Sequence, residues 1–269
     1  MNIFKMELRL KRNGFFIWTI VLCATIALFL GLFPTYAALF DGFEELIQTM
    51  PATVVNALGL GGFNFTKVLE YYAYTHQYIL LAGMIYAFIL GTKSLVIEES
   101  EKTIEFLYAK PVSRSRIYTE KMVSSVVIFL VFSIIQAIVT GFFCVLYKDA
   151  SITTSAMISD VLRIYISYAL IGLLFLGLGM FISSMMKSAS IATSVALGIF
   201  FFLYMLGILS NMFEELSFLR YVAPLEYLRP RDMMNGGRVD FLYLFIASSL
   251  IGIFYSFGYL LYNNKDLKI

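Results

Sequence analysis

The sequence predicts an all-α polytopic membrane protein with six transmembrane helices. Three observations lead there. Hydrophobic residues make up 60% of the 269 residues and charged residues 14%, against about 45–50% and about 25% in soluble domains. A soluble globule of this size cannot hide so much apolar surface. The apolar residues fall into six runs of 19 to 25 residues, and about 20 residues of helix cross the hydrocarbon core. The charges collect between the runs. The same numbers exclude intrinsic disorder, and a net charge of +2 leaves no basic footprint for nucleic acid.

The spans are 15–33, 78–96, 122–146, 164–186, 189–209 and 241–262, within a single transmembrane domain covering 1–269. The first run follows basic residues and precedes the small-x-small pattern Thr35-Tyr36-Ala37, as a signal peptide would. Its 19 residues exceed an ordinary signal core of about 7–15, so it reads as a retained helix. Ahead of it, residues 1–14 put Lys5, Arg9 and Arg12 on one helical face and Ile3, Met6 and Leu10 opposite. That pattern predicts an amphipathic elbow helix lying in the membrane interface. Lys187 and Ser188 alone separate the fourth and fifth spans, which predicts a tight hairpin.

An even number of spans puts both termini on one side. That side holds 13 Lys and Arg against 7 on the other, so the positive-inside rule makes it cytoplasmic. Aromatic anchors agree, with Phe15, Phe16 and Trp18 at the inner end of the first span and Phe33 and Tyr36 at its outer end. Lys93 and Arg163 lie at span ends, and no span carries a mid-membrane charge. Ion-driven carriers and voltage sensors use such charges, so transport by this chain predicts an energy source elsewhere.

Metal and nucleotide chemistry are poorly provided for. Cys23 and Cys144 sit in apolar runs and His76 is the single histidine, too few ligands for a zinc site. Gly91-Thr92-Lys93-Ser94 lacks the upstream glycine of a phosphate cradle. No catalytic, metal or cofactor-binding residue is assigned.

The longest cytoplasmic loop, 98–120, is the most informative segment. Ile104, Leu107 and Tyr108 make an i, i+3, i+4 stripe and Glu98 stands four residues before Lys102. Pro111 breaks the helix, and Ser113 or Ser115 caps the next. A helix this short needs something to pack on, either the inner face of its own bundle or a docked partner. Beyond the fifth span, 210–240 is 31 residues long and retains Met212, Phe213, Leu216, Phe218, Leu219, Val222 and Leu225. It reads as short re-entrant helices dipping into the outer leaflet, either a gate or a surface lid. In the fifth span Ser190, Ser194 and Gly198 form a small-residue stripe, which suits a close helix contact within the subunit or between subunits.

The run Thr103-Ile104-Glu105-Phe106-Leu107-Tyr108-Ala109-Lys110-Pro111-Val112-Ser113-Arg114 resembles the cytoplasmic signature of type-2 ATP-binding-cassette (ABC) permeases. There an acidic stretch, a T-x-E-x-L core and a P-[VI]-S-R turn lie between the second and third spans. Leu219–Tyr227 followed by Asp232, Gly236, Gly237 and Asp240 is similar to the family's outer segment, with less specificity. The layout matches along the whole chain.

The resemblance implies a non-enzymatic permease subunit of a bacterial exporter, in the plasma membrane, working as a pair, a homodimer in the simplest case. Two separate ATPase subunits, binding ATP and magnesium, would power it. Glu98, Glu99, Glu101, Glu105 and Leu107 would contact the ATPase. Pro111 and Arg114 would set the turn, and the elbow with Lys5, Arg9 and Arg12 would touch the same subunit. Ser190, Ser194 and Gly198 would face the second permease. The aromatic, charge-free spans suit a hydrophobic or amphipathic cargo such as a drug, antimicrobial peptide or lipid. Rival readings are a sodium exporter of the same family, a membrane scaffold or channel, and an intramembrane glutamic protease. The last needs His76 beside paired glutamates, which the topology puts on opposite faces.

Overall fold

The computed structural model describes residues 3–39, 47, 49–58, 60, 63–102, 112–234 and 240–265. Six long helices, each long and apolar enough to cross a membrane, dominate it: α1 (Ile3–Gly31), α2 (Val68–Ser100), α3 (Arg114–Leu146), α4 (Thr154–Met185), α5 (Ala189–Met212) and α6 (Phe241–Asn264). The described residues contain no strand. Short helices Phe33–Leu39 and Ala52–Leu58 follow α1, and 3-10 turns Glu214–Tyr221 and Pro224–Glu226 follow α5. Side-chain caps start three of the long helices: Ser113 accepts from the Arg116 amide, Thr153 from Ala156 and Asp240 from Leu242.

Burial divides the helices into a core and a rim. The apolar stretches of α2 and α4 are 72% and 67% buried, those of α1, α5 and α6 only 22%, 22% and 11%. The α2–α4 pair is therefore the spine. α5 packs on α2, α6 on α4, and α1 on α3, which itself lies against α4. Glycine makes the spine possible. A Cβ on Gly91 would lie 2.3 Å from the Leu176 carbonyl, and one on Gly179 2.6 Å from the Phe88 carbonyl. Backbone meets backbone there, as at the small-residue crossings of membrane helices.

Three expectations change. Residues 3–31 form one helix with no break at Asn13-Gly14, so the segment read as an elbow runs straight on into the first span. Its first turn is pinned to α3, where the Glu120 carboxylate accepts the Phe4 amide at 2.9 Å. A carboxylate there satisfies an orphan amide and the positive end of the helix dipole. Lys5, Arg9 and Arg12 face outward as the wheel predicts, but Leu10 is exposed too. The buried face is Ile3 and Glu7 with Lys11 below them. The helices also overrun the expected spans: α2 starts at Val68 and α3 at Arg114, so Glu98 and Lys121 belong to helices rather than to a loop. Finally, His76 lies inside the core at 1% exposure, not at an outer surface.

Candidate functional site

The candidate site is the face of the bundle that carries both termini, around the stems of the loop between α2 and α3. The loop's centre, with Glu105, Leu107 and Pro111, falls in 103–111, outside the described residues, as do Gly236 and Gly237. Its stems are described in full. α2 ends at Ser100 and is capped by Glu101, followed by Lys102 in the left-handed region at φ 56°, a helix-terminating conformation that usually falls to glycine.

Behind the stems lies a buried set of charges. Lys121 of α3 is fully buried, 2.9 Å from Glu7 of α1, and it also pairs with Glu98 of α2. Its ammonium makes a third bond to the Ser94 carbonyl at 2.9 Å. Lys11, one turn below Glu7, pairs with it at 2.8 Å and donates to Ser125 at 2.8 Å and Ser124 at 3.2 Å. Two cations thus meet two carboxylates, and every ammonium is ringed by acceptors. A buried charge is tolerable only on those terms. The cluster joins the start of α1, the end of α2 and the start of α3.

A second set of contacts brings in the C-terminus. Lys265, just past α6, pairs with Glu99 at 2.8 Å and donates to the Met186 carbonyl at 2.6 Å. Arg114, the first residue of α3, donates to the carbonyls of Asn263 and Lys265 at 3.2 and 2.7 Å. Ser100 accepts the Ala189 amide at 3.3 Å, tying the end of α2 to the start of α5. Both stems are therefore bonded to their neighbours, and polar contacts link them to α1, α5 and α6.

The expected site residues separate accordingly. Glu98 is 9% exposed and faces inward to Lys121, whereas Glu101 stands on the surface. Glu99 is engaged by Lys265 and Arg114 by the chain beyond α6. Lys5, Arg9 and Arg12 stand on the outer face of α1. On α5, Ser190, Ser194 and Gly198 are exposed, and a Cβ at Gly198 meets nothing within 4 Å. The seam of α5 within the subunit is Ala192, Ala196 and Phe200, all fully buried. Sequence reasoning missed Glu7, Lys11 and Lys121. A helical register of Ile3, Glu7 and Lys11 at i, i+4, i+8 was the available signal.

At the opposite face, 214–233 covers the ends of α2 and α5 far from the termini and leaves a cavity of about 580 Å³ lined by Tyr74, Tyr78, Tyr204, Arg220 and Arg231 among others. Asn211 bridges it, donating to Glu226 at 3.0 Å and accepting from Arg220 at 3.2 Å. Burial raises the Glu226 carboxyl above its ordinary value of 4.5, against the opposing pull of Asn211 and Arg229. The protease reading's Glu98 and His76 do not meet. Glu98 is 22 residues from His76 on the same helix, about 33 Å along it.

Six helices long and apolar enough to cross a membrane, with the stems of one polar loop braced at one face, define a multi-pass membrane protein. The family model described as ABC-2 family transporter protein matches residues 1–267, so the chain belongs to the ABC-2 family and is a membrane permease subunit of an ABC transporter. Membership implies an ABC ATPase partner. A search of curated proteins returns no match.

Proposed function

We propose that this permease exports a hydrophobic or amphipathic substrate across a bacterial plasma membrane, as one of a pair driven by two ATPase subunits. The termini face is cytoplasmic in this reading, on the strength of its 13 basic residues. The observation that carries the mechanism is the bracing of both loop stems. The ATPase docks on 98–120 and on the outward face of α1 with Lys5, Arg9 and Arg12. Nucleotide-driven closure pushes the loop, and the Glu7–Lys121–Glu98 cluster passes the push to α1, α2 and α3 as one unit. Glu101 and Glu105 make the surface contacts, while Glu98 and Glu99 hold the stem and Pro111 sets the turn.

The second permease packs on Ser190, Ser194 and Gly198, a stripe the subunit leaves open. Phe213, Phe218, Tyr221 and Val222 are exposed around this segment, which suits a short amphipathic element lying at the membrane interface. The cavity beside it joins apolar walls to arginines, which suits an amphiphile leaving by the outer leaflet.

The test is charge reversal at Glu101→Lys with Glu105→Lys. Membrane insertion and permease pairing stay intact, while recovery of the ATPase with the permease and ATP-dependent export are lost. Export at the wild-type rate contradicts the docking assignment.

A further inference from the structure

The core of the bundle holds a polar cluster that transport, as described above, does not use. Tyr72 and His76 of α2, Thr140 of α3 and Tyr165 of α4 meet in four contacts. Tyr72 Oη lies 2.6 Å from His76 Nδ1 and 2.8 Å from Tyr165 Oη. Thr140 Oγ1 lies 3.1 Å from Tyr72 Oη and 2.9 Å from Tyr165 Oη. All four side chains are buried.

Counting protons fixes the roles. Three hydroxyls carry three protons, and four contacts need four. Thr140 donates to Tyr72, Tyr72 to Tyr165, and Tyr165 to Thr140. The fourth proton sits on His76 Nδ1 and is donated to Tyr72. In the neutral imidazole Nε2 is then a bare acceptor. It is buried and has no partner among the described residues.

Other orphans lie nearby. The Tyr168 ring is 5.6 Å from the His76 ring. The Tyr168 hydroxyl, both amide atoms of Gln136 and the Tyr86 hydroxyl are buried without a partner among the described residues. Gln136 and Tyr86 neighbour the Tyr168 hydroxyl, with Gln136 at the margin of hydrogen-bonding reach. Gly83 is what admits that hydroxyl, since a Cβ there would lie 1.7 Å from it.

Lipid offers these groups no hydrogen bond. None of the seven side chains carries a carboxylate or a fixed positive charge, so an ion would sit there without a countercharge. Water supplies both donor and acceptor, and it occupies interior sites ringed by polar groups. We propose that the α2–α3–α4 core is a buried water-binding site, with His76 held as the Nδ1–H tautomer and its Nε2 accepting a hydrogen bond from water.

His76 is the single histidine, so ¹⁵N-histidine labelling of the full chain in lipid bilayers yields one pair of ring nitrogen signals. Solid-state NMR should show a protonated Nδ1, a bare Nε2 and magnetisation passing from water to the ring. Thr140→Val leaves two contacts and two hydroxyl protons, a count that no longer requires Nδ1–H, so an Nε2–H population appears, and Thr140→Ser restores the single tautomer. A wild-type Nε2–H tautomer, or a ring pattern unmoved by Thr140→Val, overturns the proton assignment. No transfer from water to the ring overturns the water site and leaves a dry core in which Gln136 and Tyr168 satisfy each other.

Discussion

Lys121→Met is the perturbation that weighs the buried charge cluster. Methionine nearly preserves the volume and deletes one ammonium. Lys121 is fully buried, and the side chains of its partners Glu7 and Glu98 are 3% and 12% exposed. At an effective dielectric of about 20, unit charges separated by the 2.9 Å of the Glu7 contact attract by about 6 kcal/mol before desolvation is counted. Lys11 still serves Glu7 at 2.8 Å, so Glu98 is the carboxylate left uncompensated. Breaking one side of a buried pair costs about 3–5 kcal/mol, and that is the expected loss. Glu98→Gln in the same background removes the stranded charge and recovers most of it. The assay is a double-mutant cycle on unfolding of the purified permease in mild detergent. A loss below about 1 kcal/mol for Lys121→Met, or no recovery on adding Glu98→Gln, refutes the reasoning.

Three other outcomes are expected. Gly179→Val drives a branched side chain into the Phe88 carbonyl, 2.6 Å from the new Cβ, and should cost at least about 1–3 kcal/mol, read as a lower thermal midpoint and yield. Ser194→Phe with Gly198→Phe adds bulk where the subunit itself has room; monomer stability should hold while permease pairing, read by cross-linking, is lost. The raised Glu226 carboxyl contributes stability that is complete below about pH 4.5, its unfolded value, and is lost as pH rises through the folded one. Glu226→Gln should remove that part of the decline in thermal midpoint between acidic and neutral pH; an unchanged decline contradicts the assignment.

Element existence was legible in the sequence because a membrane demands apolar length, and all six runs became helices. Element ends were not. Glu98 and Lys121 read as loop charges, yet each is buried because the other neutralises it, and the third partner, Glu7, is 114 residues from Lys121. Pairing over that distance leaves no local pattern. The wheel of residues 1–14 separated charge from apolar side chains correctly for Lys5, Arg9 and Arg12. It missed that Glu7 and Lys11, not Leu10, turn inward. The Ser190, Ser194, Gly198 stripe suggests close approach, while among the described residues backbone meets backbone at Gly91 and Gly179. A lone glycine in mid-span carries too little pattern to show its partner. His76 beside tyrosines at 72, 165 and 168 was equally silent, since four polar residues from two helices converge only in three dimensions.

The proposed function makes one central claim: that ATPases dock on this chain and drive it beside a second permease. The most direct measurement is the mass of the intact complex, extracted from native membranes in mild detergent by a tag on this chain. Two permease chains with two ATP-binding subunits is the predicted composition. A lone chain, or an assembly without an ATPase, contradicts it.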